Sequence, residues 1–346
     1  MDFSRDISIF ATQLSRESCV AFLLSENVQR MEKSNNERGR NMKNWHYAMI
    51  VFLGGCCYGV LSTFVKLAYS AGFTVKEVTG SQFILGTLLI WIVALFSKKK
   101  KLTLPNIGKL LLAGIPVGLT GVFYYQSLQT LDASLAIIFL FQFVWIGTFI
   151  EWIVYKKIPS TGKMVSIGIL IIGSILAAGI ISDGGVELSL KGTVWGLLSA
   201  ISYTAFIFLS SSVGENTPPV QKSALMSTGG LITVLLVFQP TDLLYLPVMI
   251  GVAPYGLFLG LLGVALPPLL FSIGMKHVGP SLGTILTASE LPIAVILSAW
   301  VLAENVNLSQ WFGVVLILGG IVAANVKWPK TQMKSASLES KAMLQE

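Results

Sequence analysis

The chain has 346 residues, of which 53% are hydrophobic and only 12% charged, with a formal net charge of +7. Its mean hydropathy is +0.74. Soluble domains carry about 25% charged residues, so this composition excludes a soluble fold and indicates a polytopic, all-α membrane protein. The basic excess gathers at the ends of apolar runs, which fits cytoplasmic loops and not nucleic acid.

Residues 1–44 differ in character from the rest of the chain. "SIFATQLSRESCVAFLLS" (8–25) contains Arg16 and Glu17, so it is neither a clean span nor a signal peptide. "MEKSNNERGRNM" (31–42) is polar and reads as disordered. Glu-Arg-Gly-Arg can be encoded by a purine-rich run just before Met42, where a bacterial ribosome-binding site would lie. The expectation is therefore a disordered segment or a leader that the native protein lacks, with translation starting at Met42.

A helical span needs about 20 mostly apolar residues. Ten stretches qualify: 45–66, 78–97, 107–128, 133–154, 163–181, 192–212, 222–238, 248–273, 281–303 and 311–327. The loops between them are too short for a soluble domain. With the N-terminus inside, all of the 24 basic residues except Lys66, Lys76 and Lys191 fall on the cytoplasmic side. Lysine and arginine asymmetry thus places both termini inside. The tail 328–346 is polar and solvated.

The chain repeats itself weakly. "GGCCYGVLSTFVKLA" (54–68) aligns with "SAISYTAFIFLSSSV" (199–213), setting Tyr58 on Tyr203. "ASLAIIFLFQFVWIG" (133–147) aligns with "PSLGTILTASELPIA" (280–294), setting Ser134-Leu135 on Ser281-Leu282. Further on, Gly173 falls on Gly320 and Ala177 on Ala324. These matches predict two five-helix repeats, 45–181 and 192–327. A unit with an odd number of spans must insert its second copy upside down, an arrangement that places a transport site near the midplane between the halves.

Charged groups inside a span are costly and ask for a partner or a function. Glu290 lies near the middle of the ninth span, with Gly283, Thr287, Ala294 and Ser298 on its helical stripe. Pro292 has no N–H, so the Ala288 carbonyl loses its helix donor and the helix is expected to kink or hinge there. Glu290 is read either as the group that binds a substrate amine or a proton, or as a hydrogen-bonded packing residue. Gln142 and Trp145, at similar depth in the fourth span, either line the same cavity or bond between helices. Tyr58 and Tyr203, on small-residue stripes in the first and sixth spans, either face the cavity or pack helices. Tyr124 and Tyr125 read as an aromatic belt or an outer gate. The spacings Gly55-x-x-x-Gly59, Gly114-x-x-x-Gly118 and Gly256-x-x-x-Gly260 permit close helix contact.

"ELPIAVILSAWVLAENVNLSQWFGVVLILGGIVAA" (290–324) and "YYQSLQTLDAS" (124–134) resemble the EamA-type drug/metabolite transporter superfamily. The matching features are Glu290 with Pro292, Ala303-Glu304, and Gly313, Gly319 and Gly320 in the last helix. The first repeat departs from this pattern: it has Gln142 with no proline beside it, and it ends in "YKKIPS" where the second has "LAENVN". The resemblance implies a secondary carrier of the cytoplasmic membrane, usually an exporter of small metabolites or drugs. A lipid or lipid-linked flippase is the alternative.

The two histidines and three cysteines show no metal, redox or disulfide spacing. No nucleophile–base pair marks an enzyme, and no cofactor is expected. The expected partners are the lipid bilayer and a small-molecule substrate, with the proton as a candidate coupling ion, no nucleic acid, and a monomer or homodimer.

Overall fold

The structure, a computed structural model, describes residues 41–156, 161–177, 189–304 and 307–325. The expected leader (1–40) and tail (from 326) lie outside the described residues. Among the described residues every regular element is helical and there is no strand. A bilayer explains this, because a helix satisfies its backbone groups within the segment.

In chain order the helices are α1 (Asn41–Gly59), α2 (Leu61–Ser70), α3 (Val75–Leu95), α4 (Leu104–Ser127), α5 (Ala133–Phe141), α6 (Phe143–Tyr155) and α7 (Thr161–Ala177). The second part comprises α8 (Leu190–Ser212), α9 (Pro219–Phe238), α10 (Leu246–Gly260), α11 (Leu266–Val278), α12 (Pro280–Thr287), α13 (Glu290–Val301) and α14 (Leu308–Asn325). Seven stretches are long and apolar enough to cross a membrane: Trp45–Ser70, Val75–Leu95, Leu104–Ser127, Ala133–Ile153, Leu190–Ser212, Pro219–Phe238 and Leu246–Val278. Three shorter apolar helices, Met164–Leu176, Ile285–Val301 and Leu308–Gly320, fall at the fifth, ninth and tenth expected spans.

Local chemistry sets several ends. Thr74 and Glu77 form a capping box at the start of α3. The Ser189 hydroxyl accepts from the Gly192 N–H at the start of α8. Lys222, expected near a cytoplasmic loop, is buried in the first turn of α9. Its Nζ donates to the Ser210 carbonyl in the last turn of α8 at 2.7 Å, where a cation suits the negative helix end.

The main packing crosses between the two parts of the chain. α4 packs on α9, and α3 on α10; α11 packs on α1, and α4 on α8; α7 packs on α14. Glycines permit close backbone approach at two of these interfaces. A Cβ at Gly114 would collide with the Met226 carbonyl of α9, and one at Gly229 with the Leu111 carbonyl of α4. At the matching interface a Cβ at Gly86 of α3 would lie 2.6 Å from the Gly260 carbonyl oxygen. Close backbone approach of this kind is how helices gain dispersion contact in lipid.

Prolines create orphan carbonyls that neighbours satisfy. Pro268 offers no N–H to the Val264 carbonyl. The chain makes a π-helical turn there, Leu261–Ala265, and the Ser227 hydroxyl of α9 donates to Val264 at 2.9 Å.

Gly114→Ala is expected to destabilise the protein by about 1–3 kcal/mol through overpacking, read as a lower Tm in detergent. Gly108→Ala, with nothing near its Cβ position, is the control. Equal Tm values would show that α4 and α9 tolerate a methyl between them.

Candidate functional site

The fourth helix of each repeat is broken near mid-depth. α12 stops at Thr287 and α13 starts at Glu290. The cause is Pro292. The Ala288 carbonyl, denied its usual donor, accepts from the Leu291 N–H at 3.2 Å instead. The N–H groups of Ala288 and Ser289 likewise reach only three residues back, each at 3.3 Å, so the turn tightens. The first repeat breaks at Gln142, between α5 and α6, without a proline. There the Gln142 side-chain Nε2 donates to the Ile138 carbonyl at 2.9 Å, and its backbone N–H shifts to Phe139 at 3.2 Å. A side chain thus competes with the helix for its own acceptor.

Each break rests on the first helix of the other repeat. Ser289 Oγ donates to the Phe52 carbonyl of α1 at 2.9 Å. Gly55 leaves no room for a Cβ beside Ser289 and Thr287, and Gly59 none beside the Glu290 carbonyl. On the other side Thr204 Oγ1 of α8 donates to the Ala200 carbonyl of its own helix at 2.8 Å and lies 3.3 Å from the Phe143 carbonyl.

Between these supports lies a cavity of about 50 Å³, room for a few water molecules. Its walls include Tyr58 of α1, Gln82 of α3, Tyr124 and Tyr125 of α4, Tyr203 of α8 and Glu290 of α13. Glu290 is 0% exposed. Tyr203 faces Glu290 and Thr287, Tyr125 faces Gln82, and Tyr124 faces Ser62, yet neither carboxyl oxygen of Glu290, none of these three tyrosine hydroxyls and not Oε1 of Gln82 makes a hydrogen bond of good geometry. Among the described residues, these cavity-lining groups supply six of the eleven buried side-chain polar atoms without a partner. Folded proteins pair more than about 90% of such atoms, so this concentration around one space marks a place where a polar ligand would complete the bonding. The walls are also aromatic. Phe83 and Phe206 line it with the tyrosines, Tyr58 and Tyr203 meet edge to face at 5.5 Å, and Phe143 and Phe271 lie behind Tyr203 and Tyr58 at 4.8 and 5.8 Å. Among the described residues, none that lines the cavity is basic. Among the described residues, no group of three or more His, Cys, Asp or Glu is placed to hold a metal ion.

The structure therefore brings Glu290, Tyr58 and Tyr203 to one cavity. Thr287, also fully buried, lies beside Tyr203 one turn before Glu290. Pro292 is buried just after the break. Gln142 and Trp145 lie on another face, bonded to each other through Trp145 Nε1 and Gln142 Oε1 at 2.8 Å and facing residues 167–174 of α7. Trp145 is 39% exposed. Tyr124 and Tyr125 are buried wall residues, not a belt at the membrane surface. Gln82 was not expected at all. Its signal was present, a lone amide within an apolar span, and it is the same signal that singled out Gln142.

The sequence profile of the EamA-like transporter family matches residues 45–179 and again residues 190–326. The chain belongs to this family. Two curated transporters align with this EamA-family chain. The uncharacterized transporter sll1319 of Synechocystis sp. is 23% identical over 308 residues, covering 80% of this chain and 92% of that one. The uncharacterized transporter YwfM of Bacillus subtilis (strain 168) is 24% identical over 191 residues, covering 54% of this chain and 62% of YwfM. One crystal structure of a protein superposes with a TM-score of 0.61 at 16% identity, covering 80% of this chain and 98% of that one. At that identity the likeness concerns the fold alone. Membership makes the protein a multi-pass membrane transporter.

Because the Tyr124, Tyr125 and Tyr203 hydroxyls make no hydrogen bond of good geometry with the groups they face, Tyr→Phe at each is expected to leave Tm unchanged or raise it. An unsatisfied buried hydroxyl costs about 1–3 kcal/mol. A clear drop in Tm for Tyr203→Phe in detergent, without added solute, would mean the hydroxyl is a structural bond.

Proposed function

We propose that this EamA-family protein is a secondary carrier that moves a small organic amine or cation through the Glu290 cavity by alternating access. The observation that carries the reading is the cluster of unpartnered polar atoms around a carboxylate, in a pocket shared by both repeats. A substrate ammonium would satisfy Glu290, Gln82 and the tyrosine hydroxyls would take its other polar groups, and the aromatic walls would hold its apolar part. The lack of a basic wall residue argues against a bare anion. Glu290 is also the candidate proton carrier when no substrate is bound.

The topology proposed with it is ten spans in two inverted five-helix repeats, with both termini inside the cytoplasmic membrane. Lysine and arginine asymmetry supports the orientation, and the reciprocal packing of α3 on α10 and α4 on α9 supports the pairing of the halves. Two pseudo-symmetric halves around one site give two related states, open to opposite sides. Export is the proposed direction, which rests on family resemblance.

Counterflow in proteoliposomes against a mixed pool of amino acids, amines and nucleosides tests this. Wild type is expected to exchange an amine-bearing compound. Glu290→Gln should lower that exchange about tenfold or more, the scale of one lost charged hydrogen bond. Equal exchange by both proteins would remove Glu290 from the site, and head-group-dependent lipid scrambling would favour a flippase.

A further inference from the structure

We infer that Glu304 is a gating residue: it latches the end of the second repeat's broken helix onto the start of the first repeat's, closing the cavity toward that face of the membrane. The contact is direct. Glu304 Oε1 accepts from the Ala133 N–H at 3.2 Å, and Oε2 accepts from Ser134 Oγ at 2.9 Å. Ala133 and Ser134 are the first two residues of α5. A carboxylate at a helix N-terminus gains from both the free N–H groups and the helix dipole.

Two details distinguish this from an ordinary helix cap. First, α5 has its own capping residue in place. Asp132 occupies the N-cap position but makes no side-chain cap bond, although aspartate is among the best caps. The cap comes instead from the other repeat. Second, the chain holds backbone strain to deliver it. After α13, Ala303 takes a left-handed conformation at φ 55°, a position where glycine is usual. The Ser298 carbonyl accepts from both Leu302 at 3.1 Å and Glu304 at 3.2 Å, which fixes Glu304 over the start of α5.

The repeat makes the asymmetry visible. α6 ends in the same way, with Lys156 left-handed at φ 50°. By sequence the next residue is Lys157, which lies outside the described residues. The first repeat thus carries a base where the second carries the acid, so the matching tie to the N-terminus of α12 cannot be built from a carboxylate there. The sequence thus encodes a carboxylate latch at one end of the carrier and a lysine at the equivalent position. The two end states, alike in packing, then differ in energy, and the state closed where α5 begins is favoured.

The proposal rests on the alternating-access reading above, and its test needs no substrate. Cys19, Cys56 and Cys57 are replaced by alanine, and Thr120→Cys is introduced as a reporter on the cavity wall. A membrane-impermeant maleimide then reads accessibility in right-side-out and inside-out vesicles. Glu304→Gln is expected to raise labelling about tenfold from the face where α5 begins and to lower it from the other face. Ser134→Ala, which removes one of the two donors, should give an intermediate shift and guards against loss of folding. An inverted topology would exchange the two vesicle results but keep their opposition. If both variants fold and neither rate changes, Glu304 only caps α5 and the proposal is wrong. Loss of Glu290-dependent exchange would leave this result untouched, so the two readings fail separately.

Discussion

The architecture depends on one reciprocal support: each repeat's broken helix is held at its break by the first helix of the other repeat. A break inside a bilayer leaves backbone groups that lipid cannot satisfy, at a cost of several kcal/mol each. Here the displaced N–H groups of Gln142, Ala288 and Ser289 turn to carbonyls three residues back, Ser289 anchors its turn on the Phe52 carbonyl, and Thr204 lies against the Phe143 carbonyl. Only glycine at positions 55 and 59 lets α1 come close enough to do this. Remove the approach and the break has no shelter; remove the break and Glu290 no longer starts a helix at the edge of the cavity.

The site follows from that support. A carboxylate buried at the start of α13, ringed by tyrosines and one amide, is a costly arrangement for a structure to hold without benefit. Stability alone would favour phenylalanine at the tyrosine positions and an apolar residue at Glu290. The polar atoms are kept together in a cavity walled by both repeats, which is where a carrier needs its ligand to be felt by both halves.

Much of this was legible in the sequence because bilayers impose strong rules. Apolar length gave the helices, Pro292 gave a break, and the cost of a buried carboxylate drew attention to Glu290. Tyr58 and Tyr203 were paired by the repeat alignment and stood on small-residue stripes, and both line the cavity. Rotation about each helix was harder to read. Gln142 and Glu290 stand near equivalent places, yet they are offset by one residue in the alignment that pairs Ser134 with Ser281. On a helix one residue turns the side chain by about 100°, enough to send Gln142 and Trp145 away toward α7. Tyr124 and Tyr125 were misplaced for a related reason: closeness to a helix end suggested the membrane surface, whereas α4 is tightly enclosed by α8 and α9.

The crossing pattern of contacts also has a consequence for biosynthesis. Helices α1 to α7 leave the ribosome first, and the surfaces that Gly114, Gly55 and Gly59 prepare have no counterpart until α8 to α14 arrive. During that interval the first half waits in the membrane with its shallow grooves filled by acyl chains or by an insertion factor. The packing between the halves can then begin only when α8 reaches α4, and it grows as α9 to α14 follow.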